Sequence, residues 1–108
     1  MILVEVIKQD QMIHELEITG HAYAGDPGFD LVCAGVSAIA TGMLNALDQQ
    51  FADLVELTLV EGADPLIKIK VNQSNESLQL VLQVLITQLE TIQVSYSDSI
   101  HISRRNNS

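Results

Sequence analysis

The chain opens on a short β-branched run, Ile2 to Lys8, closed by the polar Gln9-Asp10-Gln11. This reads as a strand followed by a turn. From Met12 to Ile18 apolar and polar positions alternate: Met12, His14, Leu16 and Ile18 share one face, and Ile13, Glu15 and Glu17 the other. That period of two predicts the second arm of a hairpin, with one face more buried. Gly20 ends it. Gly20 to Phe29 has no period and holds Gly25, Pro27 and Gly28, so a mobile loop is expected there.

Beyond the loop the period changes. Val32, Val36, Ile39, Met43 and Leu47 recur at steps of four, three, four and four, which is the apolar stripe of a helix. Asp30 is the expected N-cap, and the helix is expected to run to about Gln50. Its Gly35 and Gly42 each cost about 1 kcal/mol against alanine, so close packing is expected to compensate. Val55 to Val60 and Leu66 to Val71 return to the strand period, with Glu61 to Pro65 as the turn between them. A second helix is expected from Ser74 or Asn75, with Leu78, Val81, Leu82, Leu85, Leu89 and Ile92 as its stripe. A last strand is expected over Ser99 to Ser103, with Ile100 and Ile102 inward and residues 104–108 as a frayed tail. The predicted order is β-β-α-β-β-α-β. It implies a single α+β domain with a mostly antiparallel or mixed sheet and both helices packed on one face.

Composition sharpens this picture. Of the 108 residues 47% are apolar, with no Trp, two Tyr and two Phe, so the core is aliphatic and wholesale disorder is excluded. The formal net charge of −9 excludes a nucleic-acid surface, which needs a basic stripe. Lys68/Lys70 and Arg104/Arg105 are the close basic pairs, too few to follow a phosphate track. An acidic chain stays soluble and draws basic partners through its field. The lone cysteine rules out an internal disulfide and suits a reducing compartment. Met1 to Lys8 has no basic leader, so it does not read as a signal peptide. No apolar run looks long enough to span a bilayer, so a cytoplasmic location and no membrane partner are expected.

That cysteine, Cys33, carries the chemistry. With Asp30 as cap it would sit at the third helical position, among unpaired backbone N–H groups and the positive end of the helix dipole. Both favour a thiolate, and the same N–H groups would suit an oxyanion. His21 stands where the second strand ends, so the loop brings it within reach as a general base. The bland alternative is a small core cysteine. A metal site built from His21, Asp30 and Cys33, with Asp26 in reserve, lacks the paired ligands of structural zinc, so no metal or cofactor is expected. Asp30 reads as a helix cap rather than a third catalytic member. Ser37 lies one turn beyond Cys33 on the same face, placed either to bond near the nucleophile or to bond back to the Cys33 carbonyl. Tyr23 and Phe29 either line an apolar substrate groove or pin the loop. Gly20, Ala22, Gly25 and Gly28 complete the loop set that a substrate would meet. His14 and His101 have no constellation around them.

Two blocks, Gly20-His21-Ala22 and Asp30-x-Val32-Cys33-Ala34-x-Val36-Ser37, with a glycine-containing loop between them, resemble the ribosomal-processing cysteine proteases (the Prp family). The likeness runs over nearly the whole chain. It implies an endopeptidase that removes the N-terminal extension of a ribosomal large-subunit protein, protein twenty-seven, during ribosome assembly. It further implies a His21–Cys33 dyad, Asp30 and Ser37 as supporting positions, a loop that orders on substrate binding, a substrate segment ending in aromatic residues, and a homodimer. The contrasting expectation is a non-catalytic ribosome-associated module of the same fold, in which Cys33 merely packs.

Overall fold

The structure is a computed structural model. It describes residues 1–20 and 27–107, and for residues 27–30 the backbone alone. Five strands and two helices follow in the expected order: β1 (Ile2–Gln9), β2 (Met12–Thr19), α1 (Pro27–Phe51), β3 (Val55–Val60), β4 (Leu66–Val71), α2 (Glu76–Ser95) and β5 (Ile100–Asn106). The sheet is mixed, with strand order β3-β4-β2-β1-β5. The β1–β2, β2–β4 and β3–β4 pairs are antiparallel and β1–β5 is parallel. The parallel pair is forced by connectivity: α2 carries the chain back across the sheet before β5 starts, as a crossover must.

One face of the sheet is apolar and the other charged. Ile2, Val4, Val6, Leu16, Ile18, Ile69, Val71, Ile100 and Ile102 join Val32, Val36, Ala40, Leu44 and Leu47 of α1 and Leu78, Leu82, Leu85, Ile86 and Leu89 of α2 in one core. Both helices therefore cover the same face. In α1 the innermost line is Val32, Val36, Ala40, Leu44 and Leu47, whereas the expected Ile39 and Met43 pack only partly buried beside it. In α2 the stripe is as expected, with Val81 and Ile92 half-buried and Ile86 added. Asn75 caps it by accepting a hydrogen bond from the Leu78 N–H at 2.8 Å.

The outer face is a ladder of ion pairs. Lys68 Nζ lies 2.9 Å from Glu15 and 3.7 Å from Glu17, and Arg105 lies 3.2 Å from Glu5. The hydrogen bond that the Lys68 ammonium donates to the Glu15 carboxylate, then the charge of that carboxylate, raises Lys68 above its ordinary value of 10.5. A raised value means the pairing holds below that range and is lost only as pH climbs through it, so it is constant near neutrality. Such exposed pairs add little stability.

Three local expectations are corrected. First, the alternation of β2 breaks at His14. Lys8 pairs with Ile13 and Ile7 with Glu15, so His14 is an extra residue in the ladder. This β-bulge turns Ile13 inward and leaves Met12 exposed. Second, β5 runs to Asn106 in register with β1, pairing Lys8 with Asn106, and the Asn107 N–H donates to the Lys8 carbonyl at 2.7 Å. Residues 104–106 are strand, not a frayed tail, held also by Arg104 to Glu90 at 2.9 Å. Third, close packing does not explain the helix glycines. Among the described residues a methyl group on Gly35 would meet Ile92 only at 3.8 Å, and one on Gly42 would meet nothing within 4 Å.

The bulge creates a need that α2 meets. The ladder from β2 to β4 begins only at Glu15, so the Ile13 backbone has no strand partner on that side. The Gln79 side chain substitutes for one. Its Oε1 accepts from the Ile13 N–H and its Nε2 donates to the Ile13 carbonyl, both at 2.9 Å, and Nε2 also donates to Ser74 Oγ. Gln79→Ala strands two part-buried backbone groups at once, and is expected to cost about 1–3 kcal/mol, read from urea unfolding midpoints. A loss below about 0.5 kcal/mol would mean that water satisfies Ile13 equally well.

Helix α1 also departs from expectation in composition. Leu31–Phe51 is long and apolar enough by length and mean hydropathy, 1.5, to cross a membrane. No unbroken apolar run announces it, because its hydropathy comes from alanines and from aliphatic residues spaced around the helix. In this fold its apolar stripe covers the sheet.

Candidate active site

Helix α1 starts at Pro27, three residues before the expected cap. Proline suits a first helical position, because its missing N–H would find no partner there. Asp30 is therefore the fourth helical residue and not the N-cap. Gly28 and Phe29 likewise belong to the first turn and not to a loop. Cys33 becomes the seventh residue, about 9 Å along the axis from the first. Its own N–H falls inside the ladder of helical hydrogen bonds, and the unpaired first-turn amides lie well before it. The expected oxyanion site on those amides is thus not formed at Cys33.

Cys33 is half-buried and packs against the core. It lies in the wall of a cavity of about 140 Å³, lined among the described residues by Ile2, Ile18, Gly20, Cys33, Val36, Ser37, Pro65, Leu66 and Ile67. Ser37, one turn after Cys33, shares this cavity as its spacing implied. Gly20 does too. Thus the end of β2, the second turn of α1 and the starts of β1 and β4 converge on the cysteine. His21, Ala22, Tyr23 and Gly25 lie outside the described residues, as do the side chains of Gly28, Phe29 and Asp30. His14 and His101 stand apart from the cavity, as expected.

Gly20 is required on two counts. Its φ is +84°, which side chains rarely tolerate. A Cβ there would fall on the Met1 carbonyl oxygen, far inside contact distance. The backbone ends β2 pressed against the start of β1, and the next residue is His21.

Pro65, Leu66, Ile67, Ile2 and Ile18 had no functional signal in the sequence. They are ordinary strand and turn residues, brought to Cys33 by pairings such as Ile18 with Ile67. Only the strand order, with β4 beside β2, could have revealed them.

Comparison with known proteins fits this arrangement. Residues 1–101 match the family described as Cysteine protease Prp. The Ribosomal processing cysteine protease Prp of Bacillus subtilis (strain 168) is 31% identical over 105 residues, spanning 87% of this chain and 88% of that protein. Its counterpart in Staphylococcus aureus (strain NCTC 8325 / PS 47) is 29% identical over 104 residues, spanning 95% and 98%. Among solved structures, SMU.848 from Streptococcus mutans superposes with a TM-score of 0.85 at 27% identity, over 99% of this chain and 96% of that one. The essential ribosomal processing protease Prp from S. aureus, in complex with a covalently linked product peptide, superposes with a TM-score of 0.81 at 30% identity, over 96% and 99%. The chain belongs to the Prp family and is a cysteine protease.

Proposed function

We propose that this enzyme removes the N-terminal extension of ribosomal large-subunit protein twenty-seven in the cytoplasm, as a homodimer, with Cys33 as nucleophile and His21 as general base. The observation that carries the reading is the position of Cys33. A cysteine protease needs a cysteine, this chain has one, and it lines a cavity walled by Gly20, the neighbour of His21. A related protease of this fold is described with a substrate peptide, which supports a peptide substrate here.

The chemistry follows from the two groups. The imidazole of His21 takes the Cys33 thiol proton, and Sγ attacks the scissile carbonyl carbon. The tetrahedral adduct collapses as the C–N bond breaks, and the imidazolium gives its proton to the leaving amine. A thioester remains. Water, deprotonated by the same imidazole, attacks it and releases the new carboxyl terminus and the thiol. Ser37 supports the reacting end from one turn along α1. Asp30, in the first turn of the same helix, supports it from the other side in sequence. A substrate segment ending in aromatic residues suits a cavity lined mainly by hydrocarbon.

The test is incubation with the extended ribosomal protein, followed by intact-mass measurement. One new fragment lacking the extension is expected, at a rate that falls as salt screens the attraction between a −9 enzyme and a basic substrate. An unchanged mass at equimolar enzyme would refute the reading.

A further inference from the structure

The cavity beside Cys33 is closed on one side by the start of β4, a segment with no role in the reading above. Its floor is Ile2, Ile18 and Val36, at 3%, 6% and 4% exposure. These are three β-branched residues, stiff at χ1 and locked into the core, so the floor cannot reshape. The wall facing outward is different. Ile67 is half-buried, packs on the core as Cys33 does, lines the same cavity, and pairs with Ile18 of the floor. Pro65 precedes it at the end of the β3–β4 turn. Among the described lining residues none besides Cys33 ionises.

Resting on the active-site assignment above, we infer that Ile67 is a specificity-determining residue: it sets the size of the substrate side chain seated beside the scissile carbonyl. A volume of about 140 Å³ is close to that of an engineered apolar cavity that takes benzene, about 150 Å³. One aromatic ring or a branched aliphatic side chain fills it, and an indole exceeds it. The floor fixes the depth and Ile67 the width.

The experiment compares three peptides that differ only at the residue donating the scissile carbonyl, carrying Ala, Phe or Trp, against wild type, Ile67→Ala and Ile67→Phe. Each variant is first checked for a cooperative melt. Wild type is expected to favour Phe. Ile67→Phe fills the cavity and is expected to lower kcat/KM for the Phe peptide at least tenfold, chiefly through KM, while the Ala peptide changes less than twofold. Ile67→Ala widens it and is expected to raise the Trp-to-Phe ratio at least fivefold. Should either variant fail to fold, the other decides alone. If wild type cuts these peptides and the ratios among them stay within twofold in the folded variants, the inference about Ile67 is overturned and the active-site reading survives. If wild type cuts none of them, while Cys33→Ala and wild type behave alike on the intact ribosomal protein, both fall together.

Discussion

Cys33→Ala is expected to lower turnover by at least about 10³-fold and to leave the fold intact. Removing the nucleophile of a covalent mechanism removes the route itself, and no neighbouring group recovers it. This chain has no second cysteine to substitute. Stability should change by less than about 1 kcal/mol, because Cys33 is half-buried and alanine keeps its Cβ in an α-helix that favours alanine. Rates on the extended ribosomal protein and urea midpoints give the two numbers. Residual turnover within tenfold of wild type would show that Cys33 only packs. A large stability loss alongside inactivity would leave packing as the sufficient explanation, so Cys33→Ser, which keeps the shape and exchanges sulfur for a poorer nucleophile, is measured in parallel. It too should be inactive.

Gly20→Ala is expected to damage both stability and activity. Two costs combine. A left-handed φ costs a side-chain-bearing residue about 1–3 kcal/mol in an overdetermined site, and the new methyl group collides with the Met1 backbone, which has no flexible end to move aside. Gly62 separates the two terms. Its φ is also positive, +116°, but among the described residues a Cβ there meets nothing within 4 Å, so Gly62→Ala carries backbone strain alone. The expected order of melting temperatures is wild type, Gly62→Ala, Gly20→Ala. Gly20→Asn should not rescue, since asparagine eases φ and keeps the collision. Equal melting temperatures for the two alanine variants would show that the start of β1 yields freely. The same displacement of β1 moves Ile2 in the floor beside Cys33, so kcat/KM of Gly20→Ala should fall further than that of Gly62→Ala.

Most of the architecture was legible because local pattern and burial agree. The strand over Val55–Val60, the strand over Leu66–Val71 and the Asn75 cap of α2 each follow from a few adjacent residues. What escaped depends on distant partners. The bulge at His14 is set by pairing with Ile7 and Lys8 and by Gln79, sixty-six positions from Ile13. The extension of β5 to Asn106 depends on β1, since Ser103-Arg104-Arg105 has no strand signature of its own. At the start of α1 Asp30 reads as the cap and Pro27 as part of the loop, whereas the helix runs from Pro27. Cys33 and Ser37 were legible as one face of one helix. The rest of the cavity was not, because Ile2, Ile18 and Ile67 read as plain core until the strand order places their ends beside the thiol. His21 is offered as a base by its place at the end of β2 and by the resemblance that the two blocks carry, and it lies outside the described residues.

The last strand has a consequence for solubility. On its outer side β1 is covered by β5 alone, through the register from Ile2–Ile100 to Lys8–Asn106. Clipping the chain after Ser103 would uncover the stretch of β1 that holds Val6 and Ile7, two residues at most 3% exposed. Bare amides flanked by valine and isoleucine invite any extended stranger to zip on. The arginine pair thus acts as a latch, keeping a sticky flank shut.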